Sequence, residues 1–419
     1  MTFRKLRAPA FIVACILAAA VALLQISKTR HEHQLQLLRF AKVPDYGSLH
    51  RFDPDRQGGH LLPNLDTMAV GETIDRPVRF VTNSKGFRAE KEYALIPEDG
   101  ILRILLLGDS FIDGMRTDQH RTIGYLLEEE LGKTSLAGCY RGVEVLISGH
   151  NNPANAWYYF QEHGRRYHPH HVILGVTVGN DLTWYSYKDG VLPTTVNNAQ
   201  TTTLTLAEHP RQTGREKPDL LLPQAAYTEA AWADVLRTGE LRVREYLAEK
   251  LDWFSYSVPP AMGPKRSVAR HVYAAGFFTS LGLFYQPVLT EIEEMYQDFA
   301  EVLTGFDKMA NATGTKFVAV FFPLRFQISV TEWRLLSRTL ALKSETFDLT
   351  YPNRRIAEIC MTADIACVDL LEDFAGREVT KLFRPRGDMH LNEEGQKLVA
   401  LLLGKYILRE LEPCTHRSG

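Results

Sequence analysis

Five cysteines in 419 residues, with no Cys-x-x-Cys pair among them, leave no case for a zinc ribbon or a dithiol redox motif. No surplus of either charge exists: 48 basic residues stand against 50 acidic ones, a formal net charge of −2 with a pI near 6.7. A nucleic-acid binder normally carries a basic excess, so that class of partner is not expected. Low-complexity tracts and collagen-like repeats are also missing. With 45% hydrophobic and 23% charged residues the composition is that of an ordinary folded chain.

Long apolar runs are scarce, and the one that exists stands at the start. Arg4, Lys5 and Arg7 precede 17 uncharged residues from Ala8 to Leu24. Such a run is at the short end of what spans a bilayer core. A cleavable signal peptide is the alternative, with Ala20-Val21-Ala22 as its processing site. The run exceeds the usual h-region of about 7–15 residues, which favours an anchor. Residues 1–29 are therefore expected to be a transmembrane anchor or signal segment. The short basic tail is placed inside and the large domain outside, although Lys28, Arg30, Arg39 and Lys42 put basic residues after the segment as well. Either reading exports the globular part. In an oxidising compartment Cys360 and Cys367 could close a short loop, and unpaired buried thiols are the alternative.

Residues 30–98 are rich in Gly, Pro, Asp and Asn and read as a linker followed by an irregular or small β-rich segment. Residues 99–411 alternate short apolar runs with amphipathic stretches, before a C-terminal tail at 412–419. Ile101–Leu107, Val143–Ile147, His171–Val178, Lys316–Phe322 and Ile365–Leu370 are the predicted strands. Thr122–Leu131, Ala154–Tyr167, Val288–Met309, Pro352–Met361 and Glu393–Leu411 are the predicted helices. Strands apolar on both faces and separated by helices predict an α/β fold with a parallel sheet covered on both sides. Residues 182–281 break the alternation. They read as a large, largely helical insertion, either a cap over the carboxyl edge of the sheet or a peripheral subdomain.

That carboxyl edge is where ligands bind in such sheets. Directly after the first strand stands Gly108-Asp109-Ser110-Phe111. A hydroxyl at a strand-to-helix turn can attack a carbonyl whose oxyanion meets the following N–H groups, and the bland alternative is a helix N-cap. Gly179-Asn180-Asp181 ends the third strand, where an Asn amide can donate to the same oxyanion. Gly387-Asp388-Met389-His390 precedes the last helix; an imidazole there can take the serine proton while a carboxylate fixes its tautomer. His163, His168, His170 and His171 crowd the opposite edge, with Pro169 breaking any helical ligand spacing. They are not read as a metal site.

In these three blocks the chain resembles the SGNH (GDSL-type) hydrolase superfamily over roughly Ile101 to Leu411. The resemblance implies a three-layer, flavodoxin-like fold, a serine esterase or acyltransferase, and no metal or organic cofactor. It implies Ser110 as nucleophile, His390 as base and Asp388 as the orienting acid. Asn180 and the Ser110 N–H would be oxyanion donors. The family's second block usually supplies a glycine N–H; here Ser148-Gly149-His150-Asn151-Asn152-Pro153 offers Gly149, while register points to Asn152. Asp-x-His, with one intervening residue, looks like the spacing in membrane-linked relatives. Asn83-Ser84-Lys85-Gly86-Phe87-Arg88 is similar to a stretch preceding the serine block in exported bacterial relatives, and is read as structural.

The expected activity is hydrolysis of an acyl ester, with acetylated surface carbohydrate as the favoured substrate. An O-acyltransferase, a lipase or lysophospholipase (Trp253, Phe254 and Tyr256 would suit an acyl chain), and a catalytically silent binding protein are the alternatives.

Overall fold

The computed structural model describes residues 50–53, 58–69, 78–134, 136–150, 152–183, 281–339, 342–384 and 389–411. The expected anchor, residues 184–280 of the insertion, Asp388 and the C-terminal tail lie outside the described residues. Among the described residues no helix is long and apolar enough to cross a membrane.

The β-rich part of residues 30–98 consists of two antiparallel ribbons. Strand β1 (His50–Asp53) pairs with β2 (Gly58–Leu61), and β3 (Asp66–Ala69) with β4 (Val78–Val81). The main sheet holds β5 (Ile101–Gly108), β6 (Gly142–Gly149), β7 (His171–Thr177), β8 (Lys316–Phe322) and β9 (Cys367–Asp369). Its order is β6-β5-β7-β8-β9 and every neighbouring pair is parallel. Counted from β5, this is the 2-1-3-4-5 order of doubly wound sheets.

Side chains alternate faces along a strand, and here both faces are apolar. Leu105, Leu107, Val172, Leu174, Phe317, Ala319 and Phe321 are buried on one face. Against them pack α2 (Pro153–Glu162), α3 (Thr290–Ala312) and α4 (Tyr351–Ala363). Leu102, Ile104, Leu106, Ile173, Val318, Val320 and Phe322 form the other face, under α1 (Ile123–Gly132) and α5 (Glu393–Leu411). Arg103 is the one charge inside β5, and it is 1% exposed. Its guanidinium donates to Glu144 Oε2 and to the carbonyls of Ala94, Leu95 and Tyr167, so the buried cation is paired and hydrogen-bonded.

Two elements differ from expectation. The helix expected over Ala154–Tyr167 ends at Glu162, and Gly164–Tyr167 continues as a 3-10 turn. A Cβ on Gly164 would lie 2.7 Å from Leu105 Cδ2, so only glycine fits this close to the sheet. The last strand shrinks to Cys367–Asp369 because its flanks are used elsewhere. Ile365 N donates to Cys360 O, closing α4, and Leu370 N donates to Phe321 O.

Cys360 on α4 and Cys367 at the start of β9 form a disulfide. Closing a loop this short removes modest chain entropy from the unfolded state, about 2 kcal/mol. The double variant Cys360→Ser/Cys367→Ser is expected to lose that much, read as a lower denaturant midpoint with an unchanged slope.

His171 opens β7 and is 3% exposed. Burial, then the nearby Lys316 and His170 charges, lower its pKa from 6.5 to about 4. The unfolded chain therefore binds a proton on this residue between those values while the folded chain does not. Stability is full above pH 6.5 and falls on acidification to about pH 4, by about 3 kcal/mol. His171→Gln should flatten that acid limb in melts recorded across the window.

Candidate active site

The carboxyl end of β5 turns hard against its neighbours. At Gly108 a Cβ would lie 2.7 Å from Gly175 O of β7 and 2.5 Å from Ile112 Cγ1, so only glycine fits. Asp109 then caps the one-turn helix Ser110–Asp113 by accepting from Phe111 N at 2.9 Å. Its other oxygen accepts from Thr177 Oγ1 at 3.1 Å, and Thr177 N donates to Asp181 Oδ2 at 2.7 Å. Two buried carboxyls thus hold the end of β7 beside the turn. Burial, and next the charge of Asp109, push the Asp181 carboxyl well above the usual carboxylate range.

His390 arrives on a braced arm. Phe383 and Leu391 form an isolated bridge, Arg384 N donates to His390 O at 2.9 Å, and Asn392 N donates to Leu382 O at 2.9 Å. Asn392 Oδ1 accepts from Gly395 N at 3.0 Å, which starts α5. Within α5, Gln396 Oε1 accepts from Ile123 N at 2.9 Å and its amide donates to Phe111 O at 3.3 Å. The Arg384 guanidinium donates to Arg116 O and to Thr117 Oγ1. The imidazole lies beside Phe111, with ring centroids 5.4 Å apart. This arm sets His390 Nε2 2.7 Å from Ser110 Oγ, across 280 residues of chain. Nε2 can accept the serine hydrogen when Nδ1 carries the ring proton. Ser110 itself is half-buried, within reach of solvent or substrate.

The other predicted residues stand on adjoining strand ends. Gly149 pairs with Gly108 in the parallel register, and His150 N donates to Gly108 O at 2.6 Å. A Cβ at Gly149 would meet Asp113 Oδ2 at 2.7 Å, so this glycine makes room for the helix that follows Ser110. Asn152 Oδ1 accepts from Asn155 N at 2.9 Å and its amide donates to Asn155 Oδ1 at 3.0 Å. That side chain caps α2 through its oxygen and commits one of its two amide hydrogens to Asn155. Asn180 begins the one-turn helix Asn180–Thr183 just past β7. Strand β5 lies between β6 and β7, and the switch point falls between β5 and β7. Ser110 and His390 are therefore in contact, Gly149, Asn152 and Asn180 flank them on neighbouring loops, and Asp388 lies outside the described residues.

A second tier of residues carries no motif a sequence reading would assign to chemistry. Arg88 is fully buried; it donates to Asp113 O and Thr117 O, both at 2.9 Å, and stacks 3.5 Å from the Phe80 ring centroid. Asn83 Oδ1 accepts from Lys85 N and Phe87 N, which shapes the loop that delivers Arg88. Past β8, Arg325 forms a two-pronged pair with Glu332 and donates to Arg384 O, tying the histidine arm to the next strand end.

No protein-family model matches the chain, and no curated protein is similar to it in sequence. Among solved structures it is similar to an α/β hydrolase enzyme from the metagenome of Lake Arreo, Spain. That match has a TM-score of 0.34 and 11% identity, covering 73% of this chain and 95% of the other. It is also similar to a two-domain esterase active on acetylated mannans, crystallised with mannopentaose. There the TM-score is 0.30 and identity 10%, covering 75% of this chain and 50% of the other.

Proposed function

We propose that this protein is a serine esterase of the SGNH type that removes acetyl groups from carbohydrate outside the cytoplasm, held to the membrane by residues 1–29. The observation that carries the reading is the 2.7 Å contact between Ser110 Oγ and His390 Nε2 at the sheet's carboxyl edge.

Ser110 Oγ attacks the ester carbonyl carbon while His390 Nε2 takes its proton. The carbonyl oxygen becomes an oxyanion, met by the Ser110 N–H, the Asn180 amide and a backbone N–H of the 149–152 loop. The imidazolium then protonates the leaving sugar oxygen, and the acyl group stays on Ser110. Water, deprotonated by the same imidazole, attacks the acyl-enzyme and releases acetate, restoring the serine hydroxyl. Asp388, two positions before His390, is assigned to orient the ring and stabilise its cation.

Export is supported by the apolar run behind Arg4, Lys5 and Arg7 and by the Cys360–Cys367 disulfide, which suits an oxidising compartment. The test is hydrolysis of nitrophenyl esters of increasing chain length by the full chain, with and without an oligosaccharide acceptor. Acetate is expected to be the best acyl group. Rates rising with chain length would overturn the carbohydrate reading in favour of a lipase. Acyl transfer to the sugar in place of water would make the same site an acyltransferase.

A further inference from the structure

The opposite edge of the sheet, at the amino ends of the strands, carries a recess. A cleft of about 830 Å³ opens there, lined by Leu95, Ile96, Arg165, Arg166, His168 and His170 among others, and none of its lining residues is acidic. Among the described residues Arg165 and Arg166 form no ion pair, and the only polar contact of either guanidinium is a 3.8 Å approach of Arg165 to Met309 Sδ. The neutral polar groups of the wall are already used. Thr315 Oγ1 donates to Pro169 O, Thr313 Oγ1 donates to Ala310 O, and His170 Nδ1 accepts from Arg103 N. Among the described residues the cleft therefore offers a ligand two guanidinium groups without an ion pair and imidazole, with no carboxylate in its lining to compete.

Beside these cations stand two large aliphatic side chains in water, Ile96 at 72% and Leu95 at 49% exposed. An anion alone would gain nothing from them. A glycan would want a flat aromatic platform, and no Phe, Tyr or Trp lines the cleft. Cations beside unsheltered aliphatics match the boundary between phosphate headgroups and acyl chains.

We infer that this cleft docks on an anionic phospholipid surface, Arg165 and Arg166 holding the lipid phosphate while Leu95 and Ile96 enter the edge of the acyl layer. Strand β7 has seven residues, so docking by this edge holds Ser110 on the order of 20 Å away, at the far end of the sheet. The proposal does not depend on the esterase reading.

The full chain is placed in phosphatidylcholine nanodiscs with or without phosphatidylglycerol, and amide hydrogen exchange is followed at residues 94–97 and 164–170. Exchange there should slow severalfold only when phosphatidylglycerol is present, and the variant Arg165→Glu/Arg166→Glu should abolish the slowing without changing the melting temperature. Equal exchange in both nanodiscs, or slowing that persists in the variant, would overturn the proposal. Inorganic phosphate giving the same slowing in phosphatidylcholine alone would also overturn it, assigning the cleft to a free anion. Hydrolysis of a soluble acetyl ester, followed in parallel, reports on Ser110 separately and should be unchanged by the variant.

Discussion

Ser110→Ala is expected to reduce ester hydrolysis by about 10⁴-fold or more and to abolish labelling by a fluorophosphonate probe. The magnitude follows from the way a nucleophile and its base act as one unit, since removing either forfeits nearly all of the covalent route. His390→Ala should therefore fall by a similar factor, and the double variant should be little worse than either single one. Near-additive losses would show that the 2.7 Å contact between the two side chains is not the working contact. The alanine at position 110 leaves the fold intact, because the helix is capped by Asp109 and the serine side chain caps nothing. A melting temperature unchanged within a degree or so would verify that. Full activity or full probe labelling in Ser110→Ala would end the serine mechanism.

Arg88→Met should destabilise the fold by about 2 kcal/mol. The guanidinium makes two hydrogen bonds from a charged donor, each worth about 1.5–3 kcal/mol, to Asp113 O and Thr117 O. Its loss strands both carbonyls in a buried site. The opposing effect is that methionine needs no desolvation of a charge, which returns part of the loss. The bonds and the stranded carbonyls still outweigh it, but by less than their sum, because burial lowers the Arg88 pKa to about 9 and its Nη1 has no hydrogen-bond partner among the described residues. The measurement is a denaturant midpoint at constant slope. Since Asp113 closes the helix that begins at Ser110, kcat per folded molecule should drop too; lysine, with one ammonium for two carbonyls, should recover only part of either quantity.

How far the sequence carried this picture depends on the element. The strands were legible because both faces are buried, so the apolar runs of β5, β7 and β8 are nearly unbroken. Helix ends were less so: the change to a 3-10 turn at Gly164 comes where the chain lies close over Leu105, a neighbour across space and not along the sequence. Ser110 and His390 could be paired because their motifs each precede a helix, although His390 stands past the one-turn helices Leu371–Phe374 and Val379–Leu382 and not at a strand end. The Asp109–Thr177–Asp181 chain could not be, as a threonine ending an apolar strand gives no sign of what it binds. The Asn83–Arg88 segment was readable as structural, but nothing in its letters says that the arginine braces the helix of Ser110 from beneath. Arg103 interrupts an apolar strand and looks like a local conflict until Glu144 and three carbonyls surround it.

The arm that brings His390 is made 280 residues after Ser110, and α5 must dock before it is held, through Gln396 reaching both Ile123 N and Phe111 O. A growing polypeptide emerging in N-to-C order thus carries its serine for 280 residues with no imidazole to activate it. Until α5 docks, nothing holds the His390 imidazole against the Ser110 hydroxyl. Loss of residues 389–411 would remove the imidazole from Ser110 even with the rest of the sheet in place.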